Sequence, residues 1–150
     1  AQQPDKLGRF CCPAVLWGQL EDIDHIQSQR MRVWNRYQEG LCSLREKGVL
    51  LPLVKEGVTH NAHTFYLICR SLDQRTRLMA KLKESGIQTT FHYISLHSSP
   101  FFKDKHDGRK LPHSDRFTDQ LLRLPLYSDL LNSDQDMIIE KILHFFKLES

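Results

Sequence analysis

The sequence predicts an α/β chain, α+β in its detail, in which a long helix leads into a small sheet with helices packed on it. Three observations predict it. Leu16, Leu20, Ile23, Trp34, Tyr37 and Leu41 recur at spacings of three and four, interrupted where Gln27 and Arg30 fall on the same stripe, which is the period of an amphipathic helix. The run TFYLIC at 64–69 is β-branched, aromatic and aliphatic, of strand length, and too continuous for a face in water. Between it and a second strand at 88–94 lies a segment carrying Leu78, Met79 and Leu82, so 63–94 reads strand, helix, strand.

Taken in order, residues 1–12 (AQQPDKLGRFCC) show neither period and read as a loose arm. Pro13 suits the first turn of a helix running from about 14 to 41 and stopped near Gly40. Val49, Leu50 and Leu51 form a short strand that Pro52 confines to an end or an edge. The 64–69 run is expected at the centre of the sheet. Asp73 caps the next helix and Gly86 supplies its left-handed stop. Residues 103–112 are a charged loop with a turn at Asp107-Gly108. Ser114 caps a short helix ending at Leu121-Leu122, and LRLPLY follows as a brief extended segment. Ser133 and Asp136 start a last helix in the manner of a capping box, with Ile138, Ile142 and Phe145 beside Ile139, Leu143 and Phe146.

Composition excludes several classes. A chain of 150 residues with 40% hydrophobic and 26% charged side chains is neither disordered nor rich enough in long apolar runs to span a bilayer. Its formal charge of +3, from 21 basic and 18 acidic groups, comes without a dense Lys/Arg cluster, so nucleic acid is not an expected partner. Cys11, Cys12, Cys42 and Cys69 fit neither a metal knuckle nor a disulfide framework. With no signal-peptide pattern, a reducing cytoplasm is the expected location.

Chemistry is sought in the histidines, because G-x-S-x-G, a Gly-rich phosphate loop and H-E-x-x-H are all missing from the sequence. The stretch FHYISLHSSPFF, 91–102, places His92, Tyr93 and His97 within seven residues at the end of a strand. Alternation there puts Phe91, Tyr93 and Ser95 on one side and His92, Ile94 and Leu96 on the other. His60, His63, His92 and His97 are open to three readings: a metal site, satisfied structural histidines or a substrate pocket. Against the metal, His60 lies in a turn and His63 opens a strand, and no carboxylate stands at a familiar ligand offset.

Three segments taken together decide more than any motif. LWGQLEDIDHIQSQRMRVWNRYQEGL, then HNAHTFYLICRSLDQRTRLMAKLKESGIQTTFHYISLHSSP, then LLRLPLYSDLLNSDQDMIIEKILHFF resemble, in order over residues 13–147, the C-terminal part of the DegT/DnrJ/EryC1/StrS sugar aminotransferases. The resemblance implies the C-terminal small domain of fold type I enzymes: a linker helix, then a small mixed or antiparallel sheet with helices on it. It implies division into an unmatched arm at 1–12 and the helix plus small domain at 13–150. It also implies pyridoxal phosphate as the cofactor of the full-length enzymes, with glutamate giving its amino group to the cofactor, which passes it to a keto carbon of a nucleotide sugar.

The H-Y-x-x-L-H motif of the family falls on His92, Tyr93, Leu96 and His97, with Ser95 where the family pattern has proline. These three polar residues are the substrate contacts that the resemblance implies, with His63, in the family's N-A-H-x-F segment, behind them. No catalytic, cofactor-binding or metal-binding residue is expected in these 150 residues. None of the ten lysines stands in the context of the family's Schiff-base lysine, and the large domain that carries it precedes the segment seen here. The expectation is therefore of a module inactive alone and binding no cofactor, paired as a homodimer or with a large-domain partner, from a truncated, split or frameshifted gene or a cloned fragment. A free-standing binding or regulatory protein of the same fold and a His-rich metal-binding domain are the alternatives.

Overall fold

The computed structural model describes residues 7–91 and 93–149, with the backbone alone for residues 7–12. Two helices, α1 (Leu7–Glu21) and α2 (Ile23–Gly40), replace the single helix expected over 14–41. The chain turns at Asp22, with φ −108° and ψ 17° and no side-chain cap. Aspartate is a weak helix former, and Leu16, Leu20 and Ile23 are exposed around it, so no packing enforces a continuous rod. Because α1 begins at Leu7, residues 7–12 are helical rather than a loose arm, and Pro13 lies inside the helix instead of in its first turn. There it removes one backbone hydrogen bond.

The buried half of the expected long helix is α2, where Val33, Trp34 and Tyr37 enter the core. A 3-10 turn, Cys42–Lys47, follows and ends on Gly48 at φ +76°. The strand expected at 49–52 shrinks to one antiparallel bridge, in which Leu50 and Ile68 exchange backbone hydrogen bonds of 3.1 and 2.9 Å. Pro52 has no N–H to continue it.

The sheet has three antiparallel strands, β1 (Phe65–Ile68), β2 (Thr90–Phe91) and β3 (Leu121–Leu124), in the order β1-β3-β2. The centre is thus β3, not the 64–69 run. Leu121-Leu122, expected to end a helix, open this middle strand, while β1 has β3 on one side and only the Leu50 bridge on the other. Side-chain alternation gives β1 and β3 a common buried face: Phe65, Leu67 and Leu122 are fully buried and Leu124 nearly so. Against it pack Tyr37 of α2, Leu78 and Leu82 of α3 (Leu72–Glu84) and Ile138, Ile142 and Phe146 of α5 (Asn132–Leu148) in one core.

Caps follow local geometry more closely than motif. Ser71, not Asp73, caps α3, its hydroxyl accepting from the Gln74 N–H at 3.1 Å, while Asp73 pairs with Arg77 at 2.8 Å. Gly86 takes the left-handed φ of +76° expected of it. Helix α4 (Pro112–Gln120) starts on a proline at its first turn, two residues before Ser114, and has no side-chain cap. The capping box at Ser133 and Asp136 does not form either, because α5 begins at Asn132 and the Asp136 carboxylate is taken by Arg36 of α2.

Candidate functional site

Sequence alternation would carry β2 on through residue 94, but the ladder stops at Phe91. Phe91 stays half-exposed under the Arg75 guanidinium of α3, whose carbon is 5.0 Å from the ring centre. After it the chain leaves the sheet and turns back in a 3-10 turn, Leu96–Ser98. Departure from the strand explains why the expected alternation fails there. Tyr93 and Ile94, expected on opposite faces, are both exposed, and Ser95, expected beside Tyr93, is 7% exposed.

Ser95 anchors the turn to α4. Its hydroxyl lies 2.5 Å from the Thr118 hydroxyl and 3.3 Å from the Ser114 carbonyl oxygen, and it accepts from the Ser114 hydroxyl at 3.0 Å. A buried hydroxyl without such partners would cost about 1–3 kcal/mol, so this network decides where the turn can sit. The Ser95 carbonyl then accepts from both the N–H and the hydroxyl of Ser98 at 3.0 Å.

The same docking presents His97. Its Nε2 lies 2.8 Å from Asp115 Oδ1 on α4, and its side chain is 16% exposed. The His106 ring, from the charged loop, is 5.3 Å away. His106 Nδ1 accepts from the Gly108 N–H at 3.0 Å, so the expected turn at Asp107-Gly108 forms, with Gly108 at φ +80°. A second 3-10 turn, Lys103–Lys105, packs on the first, and Lys105 Nζ sits 3.7 Å above the Phe101 ring. The His97 and His106 rings thus lie side by side where the two turns pack, with Lys105 over Phe101 on the second turn.

Of the residues singled out by sequence, His97 and Tyr93 lie on this turn, Tyr93 at 80% exposure, and His92 lies outside the described residues. His63 is exposed and caps nothing, its own N–H donating to Asn61 Oδ1 at 3.2 Å. His60 packs on Trp34 with ring centres 4.4 Å apart and accepts from the Ala62 N–H at 3.3 Å, which makes it a structural group. Among the described residues no three His, Cys, Asp or Glu side chains converge as a metal site would need. Asp115, Thr118 and Arg75 went unnoticed in the sequence, and Ser114 was read there only as a helix cap. Ser114 and Thr118 are one helical turn apart, a spacing that carries a signal only once α4 is known to face the turn.

Elsewhere the LPLY segment packs as the sequence suggests. Pro125 gives its carbonyl to the Tyr37 hydroxyl at 3.0 Å, closing β3 onto α2, and burial pushes the Tyr37 phenol well above its ordinary range. Pyridoxal phosphate needs a lysine in a water-excluding pocket. Among the described lysines all are exposed except half-buried Lys47, whose Nζ donates to the Phe146 carbonyl at 2.8 Å. The described residues therefore do not fit as the cofactor's floor.

A small antiparallel sheet backed by helices and entered by a helix pair is a fold shared with solved aminotransferases. The DegT/DnrJ/EryC1/StrS aminotransferase family profile matches residues 6–143, and the chain belongs to that family. DesV of S. venezuelae, solved with a ketimine intermediate, is similar at a TM-score of 0.80 and 26% identity, over 89% of this chain and 35% of that one. NtdA of Bacillus subtilis, solved with PMP, is similar at 0.70 and 32%, over 81% and 28%. A DegT/DnrJ/EryC1/StrS aminotransferase from Brucella abortus gives 0.75 and 28%, over 89% and 34%. The chain spans about a third of the length of these enzymes.

Among the described residues no helix is long and apolar enough to cross a membrane.

Proposed function

We propose that these 150 residues form the substrate-facing small-domain part of a nucleotide-sugar aminotransferase acting in the cytoplasm. The observation that carries this reading is the turn that sets His97 against Asp115 and follows exposed Tyr93, in a chain of the DegT/DnrJ/EryC1/StrS aminotransferase family. Imidazole and phenol both bind sugar hydroxyls and phosphate oxygens. His92, Tyr93 and His97 are the proposed contacts, with His63 behind them. The particular enzyme proposed is dTDP-4-amino-4,6-dideoxygalactose transaminase, which the sequence resembles. Amino transfer from glutamate to the 4-keto carbon of a dTDP-4-keto-6-deoxy sugar, for a cell-surface polysaccharide, is the reaction proposed for the whole enzyme.

Pyridoxal phosphate supplies the electron sink for that reaction, and its lysine belongs to the part of the fold that these residues do not contain. The 150-residue chain by itself is therefore inactive and binds no cofactor covalently. Addition of pyridoxal phosphate followed by borohydride tests this. Scattered, substoichiometric labelling of surface lysines is expected, whereas stoichiometric reduction at one lysine with a discrete absorbance band would overturn the reading. In the assembled enzyme the chain pairs with a large domain and a second subunit through its exposed helix α1.

A further inference from the structure

The carboxylate at His97 is not an incidental surface pair. His97 is mostly buried, its Nε2 edge faces Asp115 Oδ1 at 2.8 Å, and the element carrying Asp115 is the one to which Ser95 fastens the turn. Two independent contacts from α4 thus fix both the backbone of the turn and the rotation of the ring. With Nε2 engaged, Nδ1 is the one ring nitrogen left for a ligand. The turn Lys103–Lys105 packs against the same segment.

The structure assigns Asp115 as the positioning residue of His97, holding the ring so that Nδ1 is offered to an acidic oxygen of the substrate's diphosphate. This rests on the reading of the turn as a substrate contact. An imidazole that donates from Nδ1 to phosphate while Nε2 faces a carboxylate carries both ring protons, so binding is accompanied by proton uptake from solvent whenever the ring starts neutral. Binding then tightens as pH falls. The charged and titratable groups placed around His97 are Asp115 on α4, His106 and Asp107 in the loop, and Lys103, Asp104 and Lys105 on the second turn. His106 is the second imidazole of this cluster, its ring 5.3 Å from that of His97, so a His106→Gln control separates the two.

The experiment uses the 150-residue chain, with dTDP as the probe, in two measurements. The first is the imidazole ¹⁵N spectrum of His97 in wild type, Asp115→Ala and Asp115→Asn, without ligand. A displaced Nε2 resonance in Asp115→Ala, partly restored in Asp115→Asn, is expected, and an unchanged resonance in Asp115→Ala would overturn the assignment. The second is dTDP titration between pH 6 and 8. Relative to the pH trend that the terminal phosphate of dTDP imposes in every variant, binding that weakens about tenfold and loses the tightening at low pH in both His97→Ala and Asp115→Ala, but keeps it in His106→Gln, is expected. Weakening in His97→Ala alone would overturn the role of Asp115. No dTDP binding by wild type, with the Nε2 resonance displaced as expected, would overturn the substrate reading, and the diphosphate assignment with it.

Discussion

Gln135 of α5, fully buried, donates from Nε2 to the carbonyl oxygen of Val33 on α2 at 2.6 Å. One residue on, Asp136 receives the Arg36 guanidinium through contacts of 2.6, 2.7 and 3.0 Å, but with both side chains substantially in water. The two links join the same helices and differ chiefly in burial. Truncating Gln135 to Ala empties core volume and breaks a buried bond, for about 2–4 kcal/mol. Asp136→Ala loses a solvent-screened pair worth about 1 kcal/mol or less. Urea unfolding of the two variants is expected to separate them clearly, and equal midpoints would show that the buried amide contributes little.

Ser95 stands where the family pattern has proline, and its backbone explains how either residue can serve. With φ −54° and ψ 136° it already occupies the proline region. Ser95→Pro is therefore expected to keep the turn and to recover about 0.4–1 kcal/mol through a stiffer unfolded chain. Both Ser95→Pro and Ser95→Ala lose the hydroxyl that meets Ser114 and Thr118. Ser95→Ala is thus the more destabilised of the two, by roughly that 0.4–1 kcal/mol. Denaturation midpoints in the opposite order would mean that the proline strains the turn.

Two buried acids set the alkaline limit of the fold. Burial pushes the Cys69 thiol up from its ordinary value of 9.0 to about 12, with Arg75 pulling it down and Glu149 adding to the rise. The Tyr37 phenol is raised by burial and then by Tyr127. For each group the folded state holds its proton to higher pH than the unfolded chain does. Their contributions are complete below the unfolded values and are lost as pH rises, starting near 9 for Cys69 and near 10 for Tyr37. The loss amounts to about 1.4 kcal/mol per pH unit for each group once its unfolded form is ionised. Stability measured from pH 8 to 11 should fall with this growing slope, and Tyr37→Phe, which removes the phenol, should flatten it above pH 10.

Hydrophobic pattern located the helices well, because helical burial is a local property of the chain: Trp34, Tyr37, Leu78, Leu82, Ile138 and Ile142 all reach the core as their spacing implies. Strand order was not legible, since pairing depends on partners far apart in sequence. LLRL reads as a minor extension of a helix until β1 and β2 are seen to flank it. The break at Asp22 was hidden for a related reason. Leu16 and Leu20 keep the helical period through it, but period alone does not say whether a face is covered. At the site, the sequence gives up the histidines and not what holds them. Asp115 and Thr118 are ordinary polar residues on an exposed-looking helix until Ser95 is found buried against it.

The uncovered face of α1 yields the last prediction. Leu16, Trp17 and Leu20 of α1 are 56, 66 and 53% exposed, and Ile23, across the break at Asp22, is 46% exposed. Scattered apolar residues are normal on a surface, but an apolar stripe of this length marks a contact surface. In water it lowers its free energy by meeting another apolar face, and the available one is a second copy of the same helix. The purified chain is therefore expected to associate with rising concentration and to bind a hydrophobic dye. Leu16→Gln with Leu20→Gln should shift sedimentation to the monomer while circular dichroism of the sheet and of α2, α3 and α5 stays the same, because both side chains are exposed and neither belongs to the buried core. A wild-type chain that remains monomeric at all concentrations, with no dye binding, would show that α1 does not drive association.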